Sequence, residues 1–368
     1  MKLTTLPPTS GVRFVAEFER QKDAYLIWPE RPDNWRDGAK PAQRAFTRLA
    51  NLIGKYEPTT MLVSSKQYLN ARHLLDDHIR VLEMSSNDAF IKDTGPIYVE
   101  TDGKLQAIDF GFNAWGGLLD GLYFPWDQDQ LISEKLAELN NIPYYVEHNL
   151  IVEGCSIITD GQGTLITTED VLLSEGRNPG QSKSEVEMML KRYLGIKKII
   201  WLKHGFFLDE TNGAIDNIVN FIAPGEVVIT WTEDKKDPMF QTVRQIERAL
   251  LKAKDAYNRS LKIYHLNMPK VQTVGKVESE SIDPINGLLP RTPGQRLTTS
   301  YVNYVLINDA VIVPQFGDSN DAVAVDKLQG LFPKRRVLPF NAHEMILGGG
   351  GLHTVVHTRP DTSYLGGE

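Results

Sequence analysis

Apolar residues recur at helical spacing in four separated blocks: Phe46, Leu49 and Ile53; Ile132, Leu136 and Leu139; Val186, Met189, Leu190 and Tyr193; and Val243, Ile246 and Leu250. Each block predicts an amphipathic helix with one buried stripe. The third is the best punctuated, because Ser182 and Glu185 have capping-box spacing and Gly195 supplies a stop. Between the helices lie β-branched and aromatic stretches that fold back at Asp102-Gly103, Asp160-Gly161, Pro224-Gly225 and Asn308-Asp309. These signals predict four hairpins. A Gly-rich approach at 348–351 leads into a β-branched run that predicts a further strand, with no partner evident in the pattern. With the extra strand candidates at 198–203 and 335–340, the chain reads as a hairpin, helix and strand unit repeated about five times.

Equivalent positions in such a repeat would face a shared axis. The polar residues just before the hairpins and the last strand are Asp93, Glu153, Asp216, Ser300 and Thr354. No linker or charge block divides the chain, so one α/β domain spanning residues 1–368 is expected.

Composition narrows the function. The 368 residues carry a net charge of −7 and 41% hydrophobic residues, with no basic cluster interleaved with aromatics. This balance disfavours a nucleic-acid partner and suits a small cation. No apolar run approaches the ~18 residues of a membrane span, and the N-terminus lacks signal-peptide order, so a cytoplasmic protein without membrane contact is expected. The single cysteine, Cys155, cannot form an internal disulfide or a thiolate zinc cluster.

The constellations vary in force. Four consecutive glycines, 348–351, allow close backbone approach, but no Gly-Lys-Ser/Thr follows them, which argues against a phosphate loop. His353 and His357 lack the companion ligands of a metal site and read as ordinary strand histidines. Carboxylates at separate hairpin starts are more telling, because a planar guanidinium binds well between fixed carboxylates. Asp93, Glu153 and Asp216 have that disposition, and Trp115 offers an aromatic wall or a core side chain.

Several long blocks carry a resemblance. They include IWPERPDNWRDG at 27–38, DTGP at 93–96, FNAWGGLLDGLYFPWDQD at 112–129, LLSEGRNP at 172–179, ETNG at 210–213, FIAPGEV at 221–227 and IVPQFGDSND at 312–321. On these motifs the chain resembles the agmatine deiminases of the guanidine-modifying superfamily. The resemblance implies a five-bladed pseudo-symmetric α/β propeller, a homo-oligomer, and no metal or organic cofactor. It implies hydrolysis of agmatine to N-carbamoylputrescine and ammonia. In that reaction a cysteine thiolate attacks the guanidinium carbon, and a histidine activates water against the covalent intermediate. The matching carboxylates are Asp93, Glu153 and Asp216, with Glu210 as a further acidic contact and Phe90, Trp115, Gly350 and Gly351 as substrate neighbours.

The departures are specific. Thr354 stands at the nucleophile position, Ala214 at the catalytic-histidine position, and Gly351 where the family motif has Asn. Lys92, Phe90, Asn217 and Ile158 also differ from the family's Arg, Trp, Asp and His. A hydroxyl without an adjacent base is a weak nucleophile, so little or no deiminase activity is expected, with guanidinium or diamine binding retained. Two alternatives remain open: an active deiminase using Cys155 or Thr354, and a non-catalytic partner of an active paralogue.

Overall fold

The hairpins form where their turn residues put them. In the computed structural model, which describes residues 1–285 and 291–364, Asp102 and Gly103 both take positive φ (51° and 75°), closing Ile97–Thr101 onto Lys104–Gly111 in a two-residue turn. Pro224 and Gly225, the latter at φ 75°, do the same between Val219–Ala223 and Glu226–Trp231. The remaining two hairpins are Ile157–Thr159 with Thr164–Thr168, and Val305–Ile307 with Ala310–Gln315. At the last turn, the Asn308 side chain also bonds both backbone groups of Gln21, tying this hairpin to the N-terminal segment.

Each hairpin then gains a parallel strand after a helix: Tyr144–Ile151 joins Lys104–Gly111, Lys198–Leu202 joins Thr164–Thr168, Lys262–Asn267 joins Glu226–Trp231 and Arg336–Asn341 joins Ala310–Gln315. The helices preceding them are Ile132–Leu139, Lys183–Leu194, Met239–Lys252 and Asn320–Leu331. The first three are the predicted amphipathic helices; the fourth had no periodic signal. The chain is therefore mixed α/β, with five sheets among the described residues.

The fifth sheet supplies the strand partner that the sequence pattern left open. His357–Pro360 pairs antiparallel with Gln21–Ile27, which runs parallel to Thr59–Val63 across the helix Lys40–Ile53. The two ends of the chain thus build one sheet. One expectation is corrected: residues 352–355 form a turn, so His353 lies before the strand and only His357 belongs to it, while Thr354 precedes the strand as expected.

The largest fully buried side chain is Trp35. It meets Phe46 edge-on at 5.5 Å and stacks on Phe90 at 5.7 Å, and Phe90 meets Trp115 at 5.2 Å. This aromatic series runs from the helix Lys40–Ile53 to the carboxylate of Asp93, which accepts from Trp115 Nε1 at 2.9 Å. Among the described residues, no helix is long and apolar enough to cross a membrane.

The helix Lys183–Leu194 offers a check on local encoding. Ser182 Oγ accepts from Glu185 N, while Glu185 Oε2 accepts from Ser182 N at 2.8 Å. Gly195 has φ 66°, and a Cβ there would lie 1.9 Å from Val12 O. Ser182→Ala should cost about 1 kcal/mol of unfolding free energy. Gly195→Ala should cost more than about 2 kcal/mol, because strain and collision with backbone act together. Urea unfolding of the two variants checks the order.

Candidate functional site

Four short segments from different parts of the chain supply the site. The single turn Ile91–Thr94 carries Asp93, the turn Gly154–Ser156 carries Cys155, the turn Ile215–Asn217 carries Asp216, and residues 348–356 carry the glycines and Thr354. Each precedes a strand at its sheet's start, as the repeat predicts. Asp93 Oδ1 accepts from the Cys155 backbone N–H at 2.8 Å, which joins the first two segments. Asn303 joins the others: its Nδ2 donates to Asp216 Oδ2 at 2.9 Å and its Oδ1 accepts from His353 N at 3.0 Å.

Together they enclose a small chamber. Asp93, Cys155, Ala214, Asp216 and Thr354 line it, with Phe90 and Trp115 as its aromatic side. Its free volume is ≈ 30 Å³, room for about two waters. It shares Phe90, Trp115, Asp209 and Glu210 with an outer cleft of ≈ 620 Å³. Thr354 Oγ1 accepts from Gly351 N at 3.2 Å, and Ala214 N donates to Asp209 Oδ2 at 2.9 Å.

Two of the acidic candidates are engaged by the chain's own guanidinium groups. Glu153, fully buried, sits behind the chamber wall and accepts from Arg177 Nε at 2.7 Å. Glu210 forms a two-pronged pair with Arg291, both contacts at 2.8 Å, and also accepts from Gln295. Asp93 and Asp216 are thus brought together at the chamber, while Glu153 and Glu210 already hold cations.

His353 is no ordinary strand residue. Its Nδ1 bonds Asp216 Oδ2 at 2.9 Å, its Nε2 reaches Glu17 at 2.8 and 3.0 Å, and Cys155 Sγ lies 3.8 Å from Nδ1. Glu17 in turn is paired with Lys92. His357 is different: it is buried against Tyr98, and neither of its ring nitrogens has a protein partner.

The four glycines are explained by four separate neighbours. A Cβ would lie 2.1 Å from the Trp35 ring at Gly348 and 2.4 Å from the Arg291 guanidinium at Gly349. It would lie 2.8 Å from Phe90 at Gly350 and 1.9 Å from Asn303 Oδ1 at Gly351. Gly349 also has φ 96°, where other residues are strained. The run lets the aromatic series, the Arg291–Glu210 pair and Asn303 all press against one stretch of backbone.

Burial and like charge govern the electrostatics. Burial first, then Glu153 and Asp216, push the Asp93 carboxyl up to about 7. Burial first, then the neighbouring Asp216 and Asp93, push the Cys155 thiol well above its usual value. For His353 burial opposes ionisation, but Glu17 and the Asp216 bond prevail and raise it to about 9. The imidazolium then donates from both nitrogens. Burial likewise works against the Glu17 carboxylate, yet His353 and Lys92 hold it well below the ordinary carboxylate range. His357 moves the other way, to about 3, because it is buried and faces Lys92.

Comparison with known proteins was decisive for the family. Residues 13–360 match the model of the Porphyromonas-type peptidyl-arginine deiminases. A Listeria monocytogenes protein bearing the name "Putative agmatine deiminase 2" is 50% identical over 365 residues, covering 99% of each chain. The chain belongs to the agmatine deiminase family. Within that family, the solved agmatine deiminase of Enterococcus faecalis is 43% identical, with a TM-score of 0.95 over 98% of this chain and 99% of its own. A substituted C. jejuni agmatine deiminase with substrate bound, 24% identical, shares the fold with a TM-score of 0.81 over 95% of this chain and 96% of its own.

Within this family member, Glu17, Arg177, Arg291 and Asn303 were missed as site residues by sequence reasoning. Arg177 lies inside the quoted LLSEGRNP block and Asn303 three residues after Ser300, so position was a signal for both. Glu17 and Arg291 carry no pattern that marks them.

The Asp93 shift makes a pH prediction. A carboxyl raised in the folded state favours folding below its unfolded value, near 4, and loses that contribution as pH rises through about 7. Asp93→Asn lacks this dependence. Its stability relative to the unaltered protein should therefore grow with pH, by at most about 1.4 kcal/mol per pH unit across that window. Urea midpoints at matched pH values test this, and a constant difference would remove Asp93 as a buried titrating group.

Proposed function

We propose that this chain binds a guanidinium or diamine cation, with agmatine as the leading candidate, and hydrolyses it far more slowly than a family member with the full catalytic set. The observation that carries the reading is the chamber wall itself. Asp93 and Asp216 face a small space backed by Trp115 and Phe90 and lined also by Ala214 and Thr354, the two residues that the motif resemblance aligns with the base and nucleophile. Two carboxylates against aromatic faces suit a planar cation. An alanine cannot activate water, and that loss alone is worth about 10²–10⁴ in rate. The five sheets, with the chain ends joined in one of them, are read as blades of a five-bladed propeller around this chamber. Self-association, pairing with an active paralogue and residence in the cytoplasm belong to the same proposal.

A second reading is favoured by one contact, the placement of Cys155 Sγ in the chamber 3.8 Å from His353 Nδ1. In this reading the Cys155 sulfur attacks the guanidinium carbon, ammonia leaves, and water releases the ureido product with return of the thiol. Against it stands the raised thiol, which is protonated at neutral pH while the chamber lacks a cation.

Prolonged incubation with millimolar agmatine, followed by ureido detection at high protein concentration, separates the two readings. Slow turnover unaffected by Cys155→Ala, and raised at least ~10²-fold in an Ala214→His/Thr354→Cys double variant, is the expected result. Turnover that disappears with Cys155→Ala would establish the second reading. Arg291 supplies an independent prediction, because its guanidinium holds the carboxylate that a ligand's distal ammonium would use. Arg291→Gln should strengthen binding of agmatine by about tenfold and leave methylguanidine, which lacks that ammonium, nearly unchanged. Titration calorimetry of both ligands reads this out.

A further inference from the structure

We propose that Cys155, Asp216 and His353 form a binding site for one divalent transition-metal ion of the zinc type. All three are buried, and one donor atom from each lies within 4.8 Å of the others. His353 Nδ1 is 3.8 Å from Cys155 Sγ and 2.9 Å from Asp216 Oδ2. Donors around a tetrahedral zinc ion, at bonds of about 2.0–2.3 Å, are spaced roughly 3.3–3.6 Å apart. These two spacings need shift by only a few tenths of an ångström to accept an ion, and the remaining pair, Cys155 and Asp216, already lies within 4.8 Å.

The donor set selects the metal class. One sulfur, one imidazole nitrogen and one carboxylate suit zinc and its neighbours, whereas magnesium and calcium prefer oxygen alone. The supporting contacts have the arrangement that metal centres use. Glu17 holds His353 Nε2, which fixes the ring with Nδ1 turned toward the other two donors. Asn303 holds both the Asp216 carboxylate and the His353 backbone. Asp93 holds the Cys155 backbone. Asp216 Oδ1 is buried with no protein partner, an unmet demand that a cation in the chamber would satisfy.

Three protein ligands leave a fourth position, which faces the chamber lined by Cys155 and Asp216. Metal entry displaces the protons of the thiol and the imidazole, so the site binds with proton release. The ion would use the same negative charge as an organic cation, and the two should compete. This inference does not depend on the deiminase reading, since it concerns only the three donors and their supports.

The test is cobalt titration of the full-length, chelator-treated protein. The expected result is one Co²⁺ per chain, intense visible bands of a four-coordinate ion, a near-ultraviolet sulfur-to-cobalt band, and displacement of all three signals by Zn²⁺. Because the chain has one cysteine, that sulfur band reports Cys155 directly, and Cys155→Ser should abolish it. His353→Gln and Asp216→Asn, checked for folding by circular dichroism, should each weaken Co²⁺ binding by at least about tenfold. A sulfur band with affinity unchanged in both variants would mean a lone-thiol adduct and overturn the proposal. Absence of the sulfur band, or only the weak visible bands of a six-coordinate ion, in the unaltered protein would overturn it without reference to any variant.

Discussion

Buried negative charge is the constraint around which the centre of this molecule is organised. Asp93, Glu153 and Asp216 are all at most 4% exposed, and each must be compensated where it stands. The solutions differ. Glu153 is matched by the Arg177 guanidinium, Asp216 by the His353 imidazolium and the Asn303 amide, and Asp93 by two neutral N–H donors. Neutral donors stabilise a carboxylate less than a cation does, and burial with nearby negative charge raises the Asp93 carboxyl to about 7. The centre is consequently asymmetric: Glu153 and Asp216 each keep one carboxylate oxygen unmatched, but only Asp93 and Asp216 of the three line the chamber where a ligand could reach them.

That asymmetry matters because unsettled charge is what a ligand can use. The same acidic field that would hold a guanidinium keeps the Cys155 thiol protonated, so cation binding and thiol reactivity are linked through one source. His353 adds a second link. Its two nitrogens join Asp216 at the chamber to Glu17 and Lys92 behind it, and the imidazolium is thereby a structural counter-charge rather than a free base. Water activation would need it to surrender a proton that two carboxylates hold in place.

Architecture reaches the site chiefly through the 348–351 glycines. Trp35, Phe90, the Arg291–Glu210 pair and Asn303 belong to distant parts of the chain, yet all four abut this short run. Side chains there would push the aromatic wall and the polar supports apart. Gly351 illustrates the exchange: a Cβ there would lie 1.9 Å from Asn303 Oδ1, so the bare backbone leaves room for the amide that bridges Asp216 and His353. Glu210 is tied to the same run, because its pairing with Arg291 sits directly against Gly349.

The sequence by itself determined the elements: three of the long helices that carry parallel strands, four hairpin turns, the mixed α/β class and the family. These are legible because helix stripes and turn chemistry are local, fixed by residues within a few positions of one another, and because the motif blocks are long. It also placed Asp93, Asp216 and Thr354 at segment starts that do converge on the chamber, whereas Glu153 and Ser300, expected alongside them, are not part of its lining. Tertiary structure alone decided the rest. Pairing of the two chain ends, the meeting of Cys155 with His353, and the capture of Glu153 and Glu210 by arginines 24 and 81 residues away all join distant segments. No local pattern encodes such meetings. They follow from how the five sheets pack, and burial then sets which of the assembled charges remain available for chemistry.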